Sequence, residues 1–151
     1  MKIFDCTTFF NENLMLEVRF NILNKYVDKF VIAEAKYSHS GETKKLNFNI
    51  KKFSEFKSKI IYLVIENEPE NLNYQKNNNT IYEKDVDMRP NSIKRISLQR
   101  HKLLDVLNEA DNEDYIFYSD NDEIPNLEGV DFEINQNKIL IFKQKLFYYK
   151  F

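Results

Sequence analysis

Four short apolar runs, separated by segments whose apolar residues recur at helical spacing, leave this chain few folds to choose from. Lys2–Cys6, Phe30–Ala33, Ile60–Ile65 and Tyr115–Tyr118 read as strands. Between the first two, Leu16, Phe20, Leu23 and Val27 stand four, three and four residues apart, which places them on one stripe of a helix from Asn11 to about Asp28. Asn11 or Asn13 is suited to cap that helix, and Glu12 sets a negative charge near its positive end. A short, weakly patterned helix is expected around Phe48–Phe56. Ile60–Ile65 is apolar at every position, the pattern of a strand buried on both faces. Ser92 is placed to cap a helix reaching about Glu109, and Ile139–Phe142 opens a fifth strand running towards Phe147, Tyr148 and Tyr149.

Strand and helix alternating in this order make an α/β fold, a mostly parallel sheet flanked by helices. Ligands of such sheets bind outside the carboxyl ends of the strands. Those ends carry Asp5–Thr7, Glu34, Glu66 and Asp120, so four acidic positions are expected to converge on one rim, where they could serve a metal. The polar, Asn-rich stretch from Glu66 to Pro90 has no period and is expected to be a mobile binding loop or lid rather than a structural element.

At 151 residues, with 42% hydrophobic and 30% charged residues, the chain has room for one domain and is not disordered in type. A formal charge of -2 offers no electrostatic case for a nucleic-acid partner. Cys6 is the only cysteine, which excludes an intrachain disulfide and a cysteine-based zinc cluster; a small buried thiol is expected. The N-terminus lacks an apolar signal core and no run has transmembrane length, so the expected location is the cytosol, compatible with peripheral contact with a membrane. Asn78-Asn79-Thr80 matches a glycosylation acceptor, which carries little meaning without a secretion signal.

The segment Tyr118–Pro125 leaves an apolar strand and runs straight into carboxylates. In an extended chain Asp120 and Asp122 point to one side and Asn121 to the other. Two hard oxygen donors with no His or Cys suit Mg²⁺ or Mn²⁺, which keep positions open for phosphate oxygens. The residues alone leave open a solvated acidic turn. On the preceding helix, Ile96, Arg100, Leu103 and Leu107 share a face, so Arg100 interrupts an apolar stripe and should meet a carboxylate or a phosphate. Gln99 beside it could offer an amide to the same ligand. Arg19 is expected to be an ordinary ion-pair partner, and His39 and His101 to be polar without a catalytic role.

Three blocks near the start, Phe4–Glu12, Leu16–Phe20 and Val27–Ala35, resemble the opening of glycosyltransferase family 17. Ser38–Lys44, Gln99-Arg100 and Tyr118–Pro125 follow in the order of that family, and Tyr148-Tyr149 is similar to its later tyrosine-rich strand. The resemblance implies a GT-A-like (Rossmann-like) fold and inverting transfer from a nucleotide sugar, with UDP-N-acetylglucosamine the expected donor. It implies Asp120 and Asp122 at the metal and diphosphate, and Asp5, Glu12, Glu34 and Arg100 around the same donor cleft. Asn121 departs from it, standing where a small apolar residue is expected. Members of the family continue past the position of Phe151, so the resemblance also implies that an acceptor-side portion lies beyond this chain.

The leading expectation is therefore a metal-assisted transfer to a glycan or lipid-linked acceptor, with Glu123 the nearest candidate for the base that deprotonates the acceptor hydroxyl. A residue beyond Phe151 is the alternative base. A non-catalytic homologue would bind UDP with metal but neither transfer nor hydrolyse it. A metal-dependent phosphohydrolase would release free phosphate from a simple ester, and ranks last because it would want a nucleophilic Asp at the strand end and a distant Lys.

Overall fold

The computed structural model describes residues 1–75, 84–85, 88–135 and 138–145. Its centre is a four-stranded parallel sheet of β1 (Ile3–Phe9), β2 (Lys29–Ala35), β3 (Ile60–Ile65) and β6 (Tyr115–Tyr118), in the spatial order β3-β2-β1-β6. Two helices, α1 (Asn13–Leu23) and α2 (Met88–Lys102), accompany it, together with 3-10 segments at Ile50–Lys59 and Leu103–Asn108. A two-residue ladder pairs β4 (Tyr74–Gln75) with β5 (Lys84–Asp85). The architecture is the expected Rossmann-like α/β class. No helix among the described residues is long and apolar enough to cross a membrane.

The period-two alternation of the strands builds two cores, one on each face. Ile3, Phe9, Phe30 and Ile32 meet the predicted α1 stripe of Leu16, Phe20, Leu23 and Val27. The Phe20 ring lies 4.4 Å from that of Phe30 and 5.2 and 5.3 Å from those of Phe53 and Phe56. Phe4, Cys6, Val31 and Ala33 face the other way, onto Leu103 and Val106. Cys6 is buried as expected, and burial foremost, with the Asp5 carboxylate beside it, pushes its thiol up to about 12. The thiol therefore stays protonated, and inert, throughout the physiological range. Iodoacetamide at pH 8 should label Cys6 only after denaturation; rapid labelling of the native protein would sink that assignment.

Several expectations are corrected. Ile60–Ile65 is an edge strand among the described residues, half-buried except at Ile65, because it pairs with β2 on one side and with no described strand on the other. Neither Asn11 nor Asn13 caps α1; Glu12 occupies that position, and its Oε2 accepts from the backbone N–H groups of Phe10 and Asn11, both at 3.0 Å. The segment at Phe48–Phe56 is realised as the 3-10 stretch Ile50–Lys59, kinked at Phe53 and capped by Asn49. Ser92 lies inside α2, which starts at Met88; Pro90 fits there because the first helical turn has no use for its missing N–H. Ile139–Phe142 is not a strand: Ile139 and Ile141 are 92% and 85% exposed, Leu140 and Phe142 are half-buried, and the Phe142 ring lies 5.6 Å from Phe117. Phe147, Tyr148 and Tyr149 lie outside the described residues, as do Asn78, Asn79 and Thr80.

The face that α2 buries is one residue off the predicted apolar stripe and is polar. Asn91, Arg95 and Gln99 point inward, while Leu107 is exposed and Arg100 is half-exposed. These polar groups have work to do. Asn91 exchanges two hydrogen bonds with the backbone of Asn73, at 3.0 and 2.8 Å. Arg95 donates to Glu68 at 2.5 Å, to the Tyr74 hydroxyl at 2.9 Å and to the His39 carbonyl at 3.2 Å. The described part of the expected lid is thus pinned to α2. Gly41 has φ +91°, and a Cβ there would stand 2.5 Å from the Arg95 guanidinium, so glycine serves both backbone and close approach.

Candidate functional site

From β1 the chain proceeds outward to β2 and β3, then returns to lay β6 on the other side of β1. The strand order therefore reverses between β1 and β6, and the carboxyl ends of these two neighbours form the switch point where such folds bind ligands. A cleft of about 410 Å³ occupies that place. Thr8, Phe10 and Glu12 wall it from the β1 side, Asp120, Asn121 and Asp122 from the β6 side, and Gln99, Arg100 and His39 from across.

The β6 loop is shaped by a residue that sequence reasoning undervalued. Arg19 is fully buried, and all its N–H groups are spent. Nε and Nη2 grip the two Asp5 oxygens, each at 2.7 Å, and Nη2 also donates to Ser119 Oγ at 2.7 Å. Nη1 faces the carbonyls of Asp120, Asn121 and Glu123 at 2.9, 3.2 and 3.2 Å. Gathering three carbonyls from four consecutive residues forces the chain around. The Glu123 N–H closes a turn onto the Asp120 carbonyl at 3.0 Å, and Glu123 Oε2 accepts from the Asp120 N–H at 3.2 Å. The extended geometry assumed for Asp120–Asp122 is therefore corrected to a tight turn with Asn121 and Asp122 at its tip. A sequence signal existed: Leu16, Arg19, Phe20 and Leu23 follow the i, i+3, i+4, i+7 pattern, so Arg19 interrupts the α1 stripe.

The four strand-end acids do not converge. β1 continues four residues past Asp5, which is buried against Arg19. Glu34 is wholly buried on the α1 face, where it accepts from Lys44 Nζ at 2.5 Å, the N–H groups of Asn47 and Phe48 at 2.7 and 3.0 Å, and the Tyr62 hydroxyl at 2.7 Å. Burial first, and then that bond to Glu34, pushes the Tyr62 hydroxyl well above the usual phenol range. Glu66 pairs with Lys36 at the surface. Among the described residues no three His, Cys, Asp or Glu side chains gather closely enough to hold a metal ion by themselves.

Asp5 and Glu34 bear on the cleft through intermediaries. Asp5 holds Arg19, and Arg19 holds the acidic turn. Glu34 fixes the segment 44–48, from which Asn47 donates to the Phe10 carbonyl at 2.6 Å and Lys44 Nζ lies 5.0 Å from the Phe10 ring centre. Glu12, Arg100, Asp120 and Asp122 line the cleft directly. Arg100 meets a carboxylate as expected, but at the surface: its Nη2 lies 3.2 and 3.3 Å from the two Asp120 oxygens. It also lies 5.7 Å from the Tyr118 ring centre. Burial, with Asp120 and Glu123 nearby, raises the Tyr118 hydroxyl, and the Arg100 charge acts against that rise. Glu123 faces a second groove of about 790 Å³ between β6 and the segment 140–145, walled by Tyr118, Pro125 and Phe142; Asp122 lines both.

Comparison with known proteins gives one match of family rank. The family model of glycosyltransferase family 17 matches residues 1–151. No curated protein and no solved structure matches the chain significantly.

Proposed function

Since the chain belongs to glycosyltransferase family 17, and is thus a glycosyltransferase with a sugar donor and a glycan acceptor, we propose that its donor is a nucleoside diphosphate sugar bound in the switch-point cleft. The observation that carries this reading is the Asp120–Asp122 turn, set by Arg19 at the crevice between β1 and β6 with Arg100 alongside. Arg100 is suited to pair with a phosphate oxygen, since its planar guanidinium already reaches across the cleft to an oxyanion. The acidic turn itself supplies two carboxylates to the cleft and no His or Cys; His39 stands on the wall across the cleft. That chemistry fits Mn²⁺ or Mg²⁺, ions content with one or two protein carboxylates when phosphate and water complete the shell. Asp120 and Asp122 would hold the ion, which when bound neutralises charge on a departing diphosphate.

The transfer proposed is inverting, on a GT-A-like scaffold, with N-acetylglucosamine the leading candidate sugar. An acceptor hydroxyl attacks the anomeric carbon, the bond from that carbon to the diphosphate oxygen breaks, and the hydroxyl proton passes to a carboxylate. Glu123 is the proposed base. Its side chain faces the groove along β6, where the aromatic rings of Tyr118 and Phe142 offer flat apolar surface for a glycan acceptor. Asp122, common to both walls, joins the two halves.

Titration of UDP with and without Mn²⁺ tests the donor half. UDP should bind at least about tenfold more tightly with the ion, a difference of about 1.4 kcal/mol, and Asp120→Ala should abolish the difference. Negligible binding in both conditions would remove the claim.

A further inference from the structure

Asn121 is a polar residue in an expensive place. It sits at the tip of the acidic turn, lines the cleft, and is only 7% exposed. Its backbone carbonyl is taken by Arg19, yet neither its Oδ1 nor its Nδ2 has a hydrogen-bond partner among the described residues. Buried carboxamides are ordinarily satisfied, because an unmade bond forfeits hydration without replacement. A small apolar side chain at this position would avoid that cost. A residue that burdens the free protein in this way is explained if a ligand completes it.

We infer that Asn121 is a specificity-determining residue, whose carboxamide receives a pair of neighbouring hydroxyl groups of the donor. The inference rests on the cleft being the donor site. A carboxamide offers one acceptor and one N–H₂ donor side by side, and each hydroxyl of a vicinal pair both donates and accepts, so the two sets complement each other. Position narrows the choice further. Asn121 lies between Asp120 and Asp122, the residues assigned to the diphosphate, and the groups joined directly to a diphosphate in such a donor are sugar rings. The residue already lines the cleft, so a change of its side-chain rotamer would present the amide to a ligand there. The hydroxyls come either from the ribose or from the transferred sugar, and the two sources are separable.

Binding of UDP, 2′-deoxy-UDP, 3′-deoxy-UDP and UDP-N-acetylglucosamine in Mn²⁺ is compared for the wild type, Asn121→Ala and Asn121→Leu, with the melting temperature of each protein. Asn121→Leu removes the unpaired amide while keeping its bulk, so it should melt at or above the wild type and bind about tenfold more weakly, the loss expected for a hydrogen-bonded contact. If ribose is the source, a deoxy-UDP loses affinity for the wild type but not for Asn121→Leu. If the transferred sugar is the source, Asn121→Leu binds UDP normally and loses only UDP-N-acetylglucosamine. Wild-type affinity of both substituted proteins for every ligand overturns the inference and leaves the donor site standing. A melting temperature lowered by several degrees in both also overturns it, because the amide then has a structural partner. Should Asn121→Leu misfold, Asn121→Ala and the deoxy-UDP series on the wild type still decide. Failure of the wild type to bind any of these ligands removes the donor site itself, and this inference with it.

Discussion

Arg19→Leu should destabilise the protein by about 3–5 kcal/mol, the cost of removing one partner of a buried ion pair. For a domain of this size the melting temperature should fall by roughly 6–20 °C. Asp5 would remain as a buried carboxylate with neither oxygen answered, and three carbonyls of the acidic turn would lose their common donor. The double variant Asp5→Leu with Arg19→Leu separates those two consequences. Removing both charges should recover much of the stability, since paired apolar replacements of buried ion pairs are often tolerated. It should not recover nucleotide binding, because the turn still has nothing to gather its carbonyls. Thermal unfolding and UDP titration on the same samples read both effects. A double variant that binds UDP as the wild type does would show that the turn keeps its shape without Arg19.

Glu34→Ala is the second change expected to be severe. The carboxylate accepts four hydrogen bonds in a site closed to solvent; its loss orphans the N–H groups of Asn47 and Phe48 and the Tyr62 hydroxyl, and leaves the Lys44 ammonium with the Lys45 carbonyl but no counter-charge. With about 1–3 kcal/mol for each donor left buried and unpaired, a loss of several kcal/mol is expected even if Lys44 swings out to water. Tyr62→Phe removes a single donor and should cost only about 0.5–1.5 kcal/mol. Urea unfolding measures the totals, and the midpoint should shift without a change in slope. Amide exchange supplies the local readout: one of Asn47 and Phe48, which bond different oxygens of Glu34, should lose protection in Glu34→Gln, whose amide keeps one accepting oxygen and replaces the other with an N–H₂ group. Retained protection and wild-type stability in Glu34→Gln would contradict the role given to the carboxylate. Because Asn47 also holds the Phe10 carbonyl, the cleft wall should loosen along with the core.

The contrast between Arg19 and Arg100 shows what pattern alone can miss. Each interrupts an apolar stripe in the sequence, and the same argument applied to both predicts burial for both. Only Arg19 is buried, because the α1 stripe packs on the sheet and Asp5 of β1 meets the guanidinium there. α2 is rotated so that Asn91, Arg95 and Gln99 face inward, which carries Arg100 to the surface beside Asp120. Rotation of a helix is decided by the groups it meets. Asn73, Glu68 and the His39 carbonyl lie far from α2 in sequence, and no periodicity within Met88–Lys102 encodes them.

The alternation of strands and helices, the α1 stripe, the buried thiol, the family blocks and the place of the acidic segment after β6 are all legible along the chain. Each follows from spacing along a single element, where period two or period 3.6 suffices. The tertiary structure decided which acids reach the cleft, the turn at Asp120–Glu123 and the unpaired amide of Asn121. It also decided the edge position of β3 and the irregular path of 138–145. Those features depend on partners scores of residues apart: a guanidinium on α1 collects carbonyls from the loop after β6, and a carboxylate's fate depends on how far its strand runs on beyond it. Contacts of that kind exist only once the chain has closed upon itself.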